Sequence, residues 1–411
     1  MERLIPQKEQ IAFLDWEMGA FFHFGIRTFY EGCSDWDGKP MPLSGFNPTE
    51  LDCENWIKTI KEAGMKYAIL VCKHHDGFAN WPSRYSEYHV GLTPWKDGKG
   101  DVVEEYVTAC HKHDVRVGLY YSPAEIGYGN RSPKEHDDYF IGQISELLTN
   151  YGKVDYLWFD GCGSEGHAYD KSRIVKAIRD LQPDILIFNM WDPNTRWVGN
   201  EGGVAGVLNG NVTKHLDFSV VATEKESMAE NRFLPAECDF MMRNRNWFYS
   251  EYDVHTVKSV EELVGLYYYS VGCGANFLVN IGPDRRGLLP GVDAARLLEF
   301  GREIRRRFAD PIPSAVRETG NGMAITLEQE QLVNHLIVKE DLSEGESVEE
   351  FNVFMKNGIV LNPVCIFTGK QIGHKRILSF PAILAKELIV EVAKSRGAYS
   401  LKIPEAYYIR H

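Results

Sequence analysis

The sequence predicts an α/β protein, a (β/α)8 TIM-like barrel followed by a C-terminal antiparallel β-sandwich. Three observations predict it. From residue 18 to about 308, apolar strand-like runs alternate with amphipathic helix-like segments, which implies a parallel sheet. At least seven such units fit in that length, favouring a closed barrel over an open doubly wound sheet, and no GxGxxG follows the first strand. After RRRFADPIPSAV the runs become short and alternating, as antiparallel strands are. Pro311 and Pro313 punctuate the last helix, so the barrel is assigned to residues 1–311 and the sandwich to residues 312–411.

Each unit has its own signals. GAFFHFGI reads as the first strand, and a helix follows in NPTELDCENWIKTIKEAG, with Thr49 or Asp52 at its start and Gly64 at its stop. YAILVCKHHDGF leads to a helix in GDVVEEYVTACHKHD, and RVGLYYSPAE to one in HDDYFIGQISELLTNYG. DYLWFDG precedes DKSRIVKAIRDLQ, and DILIFNM is the next strand. FLPAECDF precedes SVEELVGLYYYSVGCG, and ANFLVNIGP precedes GVDAARLLEFGREIRRRF. An eighth strand is expected near residues 201–221. GMAITLEQE, LVNHLIVKE, VEEFNVFMK and ILSFPAILAKELIVEVAKS then supply the sandwich.

A net charge of −13, from 45 basic and 58 acidic residues, argues against a nucleic-acid partner, whose phosphates need a basic surface. No window approaches a membrane-spanning length, so no membrane partner is expected. The start, MERLIPQKEQ, has no apolar signal region, which predicts a cytoplasmic protein, or a periplasmic or secreted one if a leader has been removed. Eight cysteines without a CxxC read as buried free thiols.

The strand ends are rich in polar and aromatic groups: His23; Lys73, His74, His75 and Asp76; Tyr120 and Tyr121; Trp158 and Asp160; Asn189 and Trp191. In KVDYLWFDGCGSEG an apolar run delivers Asp160 into Gly161, at the end of a strand where barrels carry their chemistry. A helix cap is the other reading of that aspartate. The period of two puts Trp158 and Asp160 on one face. Three histidines at two strand ends suggest a metal site or a pocket dense in hydrogen-bond donors. The first strand lacks an H-x-H pair, and His74 and His75, adjacent in a strand, would point to opposite faces, which disfavours a shared ion. Sugar hydrolysis needs two carboxylates across the scissile bond. Asp160 is the candidate nucleophile, and its partner is Glu201 of RWVGNEGG, between glycines, or Glu237 of PAECD, inside an apolar strand where a structural hydrogen bond is the plainer role.

These motifs resemble glycoside hydrolase family 29, the α-L-fucosidases, over most of the chain. KHHDGF with LWFDG, in this order and spacing, carries the resemblance, together with FFHFGI, RWVGNEGG, PAECD, WFY and NFLVNIGPDRRGLLP. The resemblance implies a retaining exo-hydrolase with Asp160 as nucleophile, Glu201 as acid/base and no cofactor. It implies that His23, His74, His75, Tyr120 and Trp158 contact fucose, and that Asp35 and Trp36 of CSDWDG close the pocket. HFG and RWVGNE look like the branch that prefers α-1,3 and α-1,4 linkages on branched glycans, whereas AEIGYGNRSP and NMWDPNTRW depart from the family pattern. Phe24, Trp36 and Phe78 are candidates for an apolar patch under the fucose methyl, and aromatic side chains are expected to raise the pKa of the acid. A metal-dependent barrel hydrolase and a catalytically inactive fucose-binding protein are the alternatives.

Overall fold

The computed structural model describes residues 4–31, 39–125, 131–164, 166–218 and 226–410. Asp35, Trp36 and Cys33, and residues 126–130 of AEIGYGNRSP, lie outside the described residues.

The barrel strands are β1 (Met18–Phe22), β2 (Tyr67–Lys73), β3 (Arg116–Tyr121), β4 (Tyr156–Phe159), β5 (Leu186–Phe188) and β6 (Arg196–Trp197). After a hairpin of β7 (Val212–Leu216) and β8 (Glu226–Phe233) come β9 (Ala236–Met241) and β10 (Asn276–Asn280). The eight barrel strands run parallel in the order β5-β4-β3-β2-β1-β10-β9-β6. A bridge between Phe188 and Thr195, where Asn189 N donates to Thr195 O at 3.1 Å, closes the ring. Every residue of β1, β2 and β4 is buried, as expected for strands covered on both faces.

The eighth barrel strand is β6, just ahead of the expected 201–221 window, which instead holds β7 of the hairpin. Two residues long and joined to β5 by residues 189–195, β6 is too short to show any period.

The outer helices are α2 (Cys53–Glu62), α3 (Val102–Lys112), α4 (Pro133–Asn150), α5 (Lys171–Leu181), α6 (Val260–Tyr269) and α7 (Gly291–Phe308), and α1 (Lys8–Trp16) precedes β1. Side chains of Asp52, Asp101, Ser132, Asp170 and Ser259 accept from backbone N–H groups in the first turns of α2 to α6, satisfying donors that a helix start leaves bare. From α1, Phe13 packs on Tyr67 and Tyr156 at ring separations of 6.1 and 5.3 Å and plugs the lower end of the barrel.

Beyond α7 lies an antiparallel sheet of β11 (Ser314–Thr319), β12 (Gly322–Val338), β13 (Val348–Lys356), β14 (Val364–Lys370), β15 (Arg376–Ser395) and β16 (Glu405–Tyr407), ordered β11-β12-β15-β13-β14 with β16 on β12. The pairing of β12 and β15 slips between Thr326 and Gln331, so each long strand serves two halves of the sandwich. Ile325 and Leu327 from one half share a core with Val333, Leu336 and Val338 from the other. Cys53, Cys72, Cys110, Cys238 and Cys273 are buried free thiols as expected, Cys162 is half-buried, and Cys365 is exposed on β14.

Candidate active site

The C-terminal ends of the strands surround a cavity of about 270 Å3. His23, His74, His75, Tyr120, Trp158, Asp160 and Glu201 all line it.

A ladder of rings builds its wall. The register aligns Tyr120 with Trp158 and Trp158 with Phe188 across β3, β4 and β5. With His74 at the open end, the four rings stack at 5.4, 5.4 and 4.1 Å, with interplanar angles of 9°, 22° and 11°. Beneath them the Trp158 indole donates to Glu237 Oε1 at 2.8 Å, while Tyr67 and Tyr156 donate to the same carboxyl group at 2.6 and 3.3 Å. Glu237 is fully buried below the cavity and does not line it. Burial pushes its pKa up to about 7 against those three donors.

Asp160 sits where β4 ends. Its Oδ1 accepts from Cys162 N at 2.9 Å and its Oδ2 from the Tyr120 hydroxyl at 2.8 Å, with His75 Nε2 at 3.4 Å. Burial alone would raise this carboxyl, but the His75 charge and these donors hold it below the usual aspartate range, so it is ionised. Burial likewise opposes charge on His75, yet Asp160 carries it up to about 10, making it an imidazolium. His23 goes the other way, driven down to about 3 mainly by burial. The Asn280 amide donates to Trp247 O at 2.7 Å, which turns its Oδ1 toward His23 Nδ1, also at 2.7 Å. His23 is therefore the Nδ1–H tautomer, and its Nε2 is left as an acceptor.

One inference from spacing fails. β2 ends at Lys73, so strand alternation does not reach His74 and His75; both line the cavity, with rings 4.3 Å apart. Their nitrogens and an Asp160 oxygen lie within 4.8 Å of one another. His75 Nδ1 lies 2.6 Å from Ser122 Oγ and its Nε2 faces Asp160, so His75 and Asp160 form an acid–base pair beside His74.

Glu201 reaches the cavity from an exposed turn after β6. The turn is pinned rather than loose. Trp197 donates from its indole to Asp239 Oδ1 at 2.6 Å, and Gly202 bridges to Phe240. Gly203 has φ +73°, and a Cβ there would stand 2.5 Å from the Phe240 ring, so only glycine fits.

The cavity also recruits Asp239, Trp247 and Arg245, which the sequence reading did not single out. Asp239 shares the inward face of β9 with Glu237, and that i, i+2 pair of acids was the available signal. Burial, reinforced by Glu201 and Glu237, pushes its pKa well up despite the Trp197 donor. Trp247 packs on His23 at 5.0 Å. Phe24 and Phe78, expected under the fucose methyl, instead pack on Phe46 in the core behind the strands. Phe21, Phe188, Phe218 and Met241 are among the cavity's apolar linings. Of NMWDPNTRW only Asn189 and Trp197 reach the cavity; Trp191 packs on Phe140 and Phe159, and Asp192 pairs with Arg179 and Arg232.

A family model described as Alpha-L-fucosidase matches residues 42–306, from ahead of β2 to the end of α7, including Asp160 and Glu201. The chain belongs to the α-L-fucosidase family. Alpha-L-fucosidase 1 of Arabidopsis thaliana is 31% identical over 441 residues, spanning 95% of this chain and 85% of that protein. A glycoside hydrolase 29 family member from an unknown rumen bacterium superimposes with a TM-score of 0.90 at 29% identity, covering 100% of this chain and 78% of that one. A Ruminococcus gnavus glycoside hydrolase 29 fucosidase, solved in complex with fucose, shares the fold at a TM-score of 0.85 and 24% identity, over 99% of this chain and 94% of that one. As a member of this family the chain is a glycoside hydrolase, and its cavity lies where a barrel enzyme carries its chemistry.

Proposed function

We propose that this fucosidase removes terminal α-linked L-fucose with retention, through a covalent fucosyl ester on Asp160, and that it prefers α-1,3 and α-1,4 linkages. The observation that carries the mechanism is the contrast between two carboxylates on one cavity. Asp160 is ionised on a rigid strand end, with Tyr120 and His75 against it, whereas Glu201 stands at the exposed rim where an aglycone leaves.

Asp160 attacks the anomeric carbon while Glu201 gives its proton to the departing glycosidic oxygen. Glu201 then takes a proton from water, which attacks the same carbon and releases Asp160. Each half avoids a free oxocarbenium ion. His23 Nε2 accepts from one sugar hydroxyl, His74 and His75 meet others, and Trp158 lies against the ring. The substrate is a fucosylated oligosaccharide or glycoconjugate.

The linkage preference rests on the HFG and RWVGNE motifs. Contacts to a second sugar beside the fucose raise kcat/KM when they strengthen in the transition state. Because NMWDPNTRW sends only Asn189 and Trp197 to the cavity, that second-sugar surface draws on the Glu201 turn and the Arg245–Trp247 segment instead. Hydrolysis of a Lewis-a or Lewis-x trisaccharide is expected to be faster, by kcat/KM, than that of 2′-fucosyllactose. Equal values, or a preference for the α-1,2 linkage, would refute the linkage assignment and leave fucose release standing.

A further inference from the structure

Behind the nucleophile lies a buried polar layer that the mechanism above does not use. Ser122, fully buried just after β3, has its Oγ 2.6 Å from His75 Nδ1 and donates to Ala124 O at 3.1 Å. Lys73 Nζ donates to the same carbonyl at 3.2 Å, lies 3.7 Å from Glu125 Oε1 and sits 4.6 Å over the Tyr121 ring. Arg131 pairs with the other oxygen of Glu125. Both Lys73 and Glu125 side chains are buried, 0% and 2% exposed. A buried ion pair returns little net stability after desolvation, so its place directly behind the nucleophile's partner calls for a reason.

We propose that Ser122, braced by Lys73 through the Ala124 carbonyl, is a positioning residue that accepts from Nδ1–H of His75 and so favours the doubly protonated ring whose Nε2 donates to Asp160. The proposal rests on Asp160 being the nucleophile. A serine hydroxyl has one proton. Committed to Ala124 O, it offers His75 only a lone pair, so Nδ1 must carry hydrogen. A neutral ring in that tautomer would turn the Nε2 lone pair toward the Asp160 carboxylate; a second proton converts repulsion into an ion pair. The groups facing His75 are Asp160 and Cys162 from the loop after β4, Ser122 from just after β3, His74 beside it and His23 from β1. Asp160 is the one carboxylate among them. When Asp160 becomes an ester its charge is consumed, and with it the main support of the imidazolium; the Ser122 oxygen, accepting from Nδ1–H, then still favours the charged ring, which helps Asp160 depart as a carboxylate when water attacks. Ser122 therefore acts mainly on the second half of the reaction.

The test is nitrogen NMR of the full chain carrying 15N-histidine, with the His75 signals assigned by their loss in His75→Gln. Both ring nitrogens of His75 should appear protonated at pH 7. In Ser122→Ala the His75 titration midpoint should fall by about one unit, the scale of one lost hydrogen bond to a charged group. Turnover of an activated aryl fucoside, limited by breakdown of the intermediate, should fall about tenfold with a larger pre-steady-state burst. Ser122→Thr, which keeps the hydroxyl, should restore both. A single protonated nitrogen in the wild type, an unmoved midpoint in Ser122→Ala, or a Thr variant no better than Ala would overturn the proposal. If Ser122→Ala does not fold, the wild-type spectrum decides alone. Asp160→Ala with retained activity would instead remove the nucleophile assignment while leaving the protonation state of His75 readable.

Discussion

Asp160 and Glu237 are two buried-site carboxyls with opposite environments, and each makes its own prediction. Asp160→Asn should leave the fold intact and lower turnover by several orders of magnitude, because it removes the covalent route; a folded variant with a tenth of wild-type activity would exclude the role. Glu237 has a folded pKa of about 7 against an ordinary 4.5, so between those values the folded protein holds a proton that the unfolded chain has released. Its contribution is therefore greatest below pH 4.5 and is lost as pH rises to 7, by roughly 3 kcal/mol. Glu237→Gln cannot titrate and should flatten the pH dependence of the urea midpoint over that range; identical slopes in the two proteins would contradict this. Residue identities at strand ends were legible because the chemistry of a barrel is confined there: His23, His74, His75, Tyr120, Trp158 and Asp160 stand on or just after β1 to β4. Asp239 was not, because an acid inside an apolar run reads as structural, and nothing local to FHFGI or KHHDGF says that Phe24 and Phe78 face the helices.

Among the elements, the turn after β6 decides where Glu201 stands. Gly203→Ala would place a methyl against the Phe240 ring in a left-handed backbone conformation, so the turn has to shift. Such a displacement should lower kcat on a fucoside by about a hundredfold, with a thermal midpoint near that of the wild type. Wild-type kcat in this variant would mean that the turn does not set the acid. The assignment itself is tested by rescue. Glu201→Ala should regain turnover of an activated aryl fucoside in azide and yield fucosyl azide; the same behaviour in Glu237→Ala, and not in Glu201→Ala, would transfer the role. The elements that repeat were the legible ones: β1 to β4 are apolar runs buried on both faces, and α2 to α5, which follow them in turn, are amphipathic. The β5–β6 turn and the β7–β8 hairpin break the repeat, and a two-residue strand held by its neighbours has no period to read.

At the scale of the whole molecule, the change from helical to alternating period after Pro311 marked where the antiparallel sheet begins, but not how that sheet meets the barrel. Lys375, ahead of β15, donates to Glu17 Oε1 and Oε2 at 2.8 and 3.0 Å and lies 3.3 Å from the Tyr267 hydroxyl, tying the sheet to the start of β1 and to α6. These partners are more than 350 residues apart for the Lys375–Glu17 pair, a separation of 358, which no local pattern encodes. Lys375→Met should remove the main partner of Glu17, which is a quarter exposed and keeps the Tyr267 hydroxyl, and cost about 2 kcal/mol in chemical denaturation. Kinetic constants of the folded enzyme should not change, since neither residue lines the cavity. A stability within experimental error of the wild type would show that the pair is not what fastens the two parts.

The most direct test of the central claim is to trap the intermediate. Incubation with 2-deoxy-2-fluoro-L-fucosyl fluoride, which slows breakdown of a glycosyl ester, followed by intact mass and peptide mapping, should show one added fluorofucosyl group on the peptide containing Asp160. A single adduct on another carboxylate, or an active enzyme that turns over fucosides yet never accumulates an adduct, would contradict it.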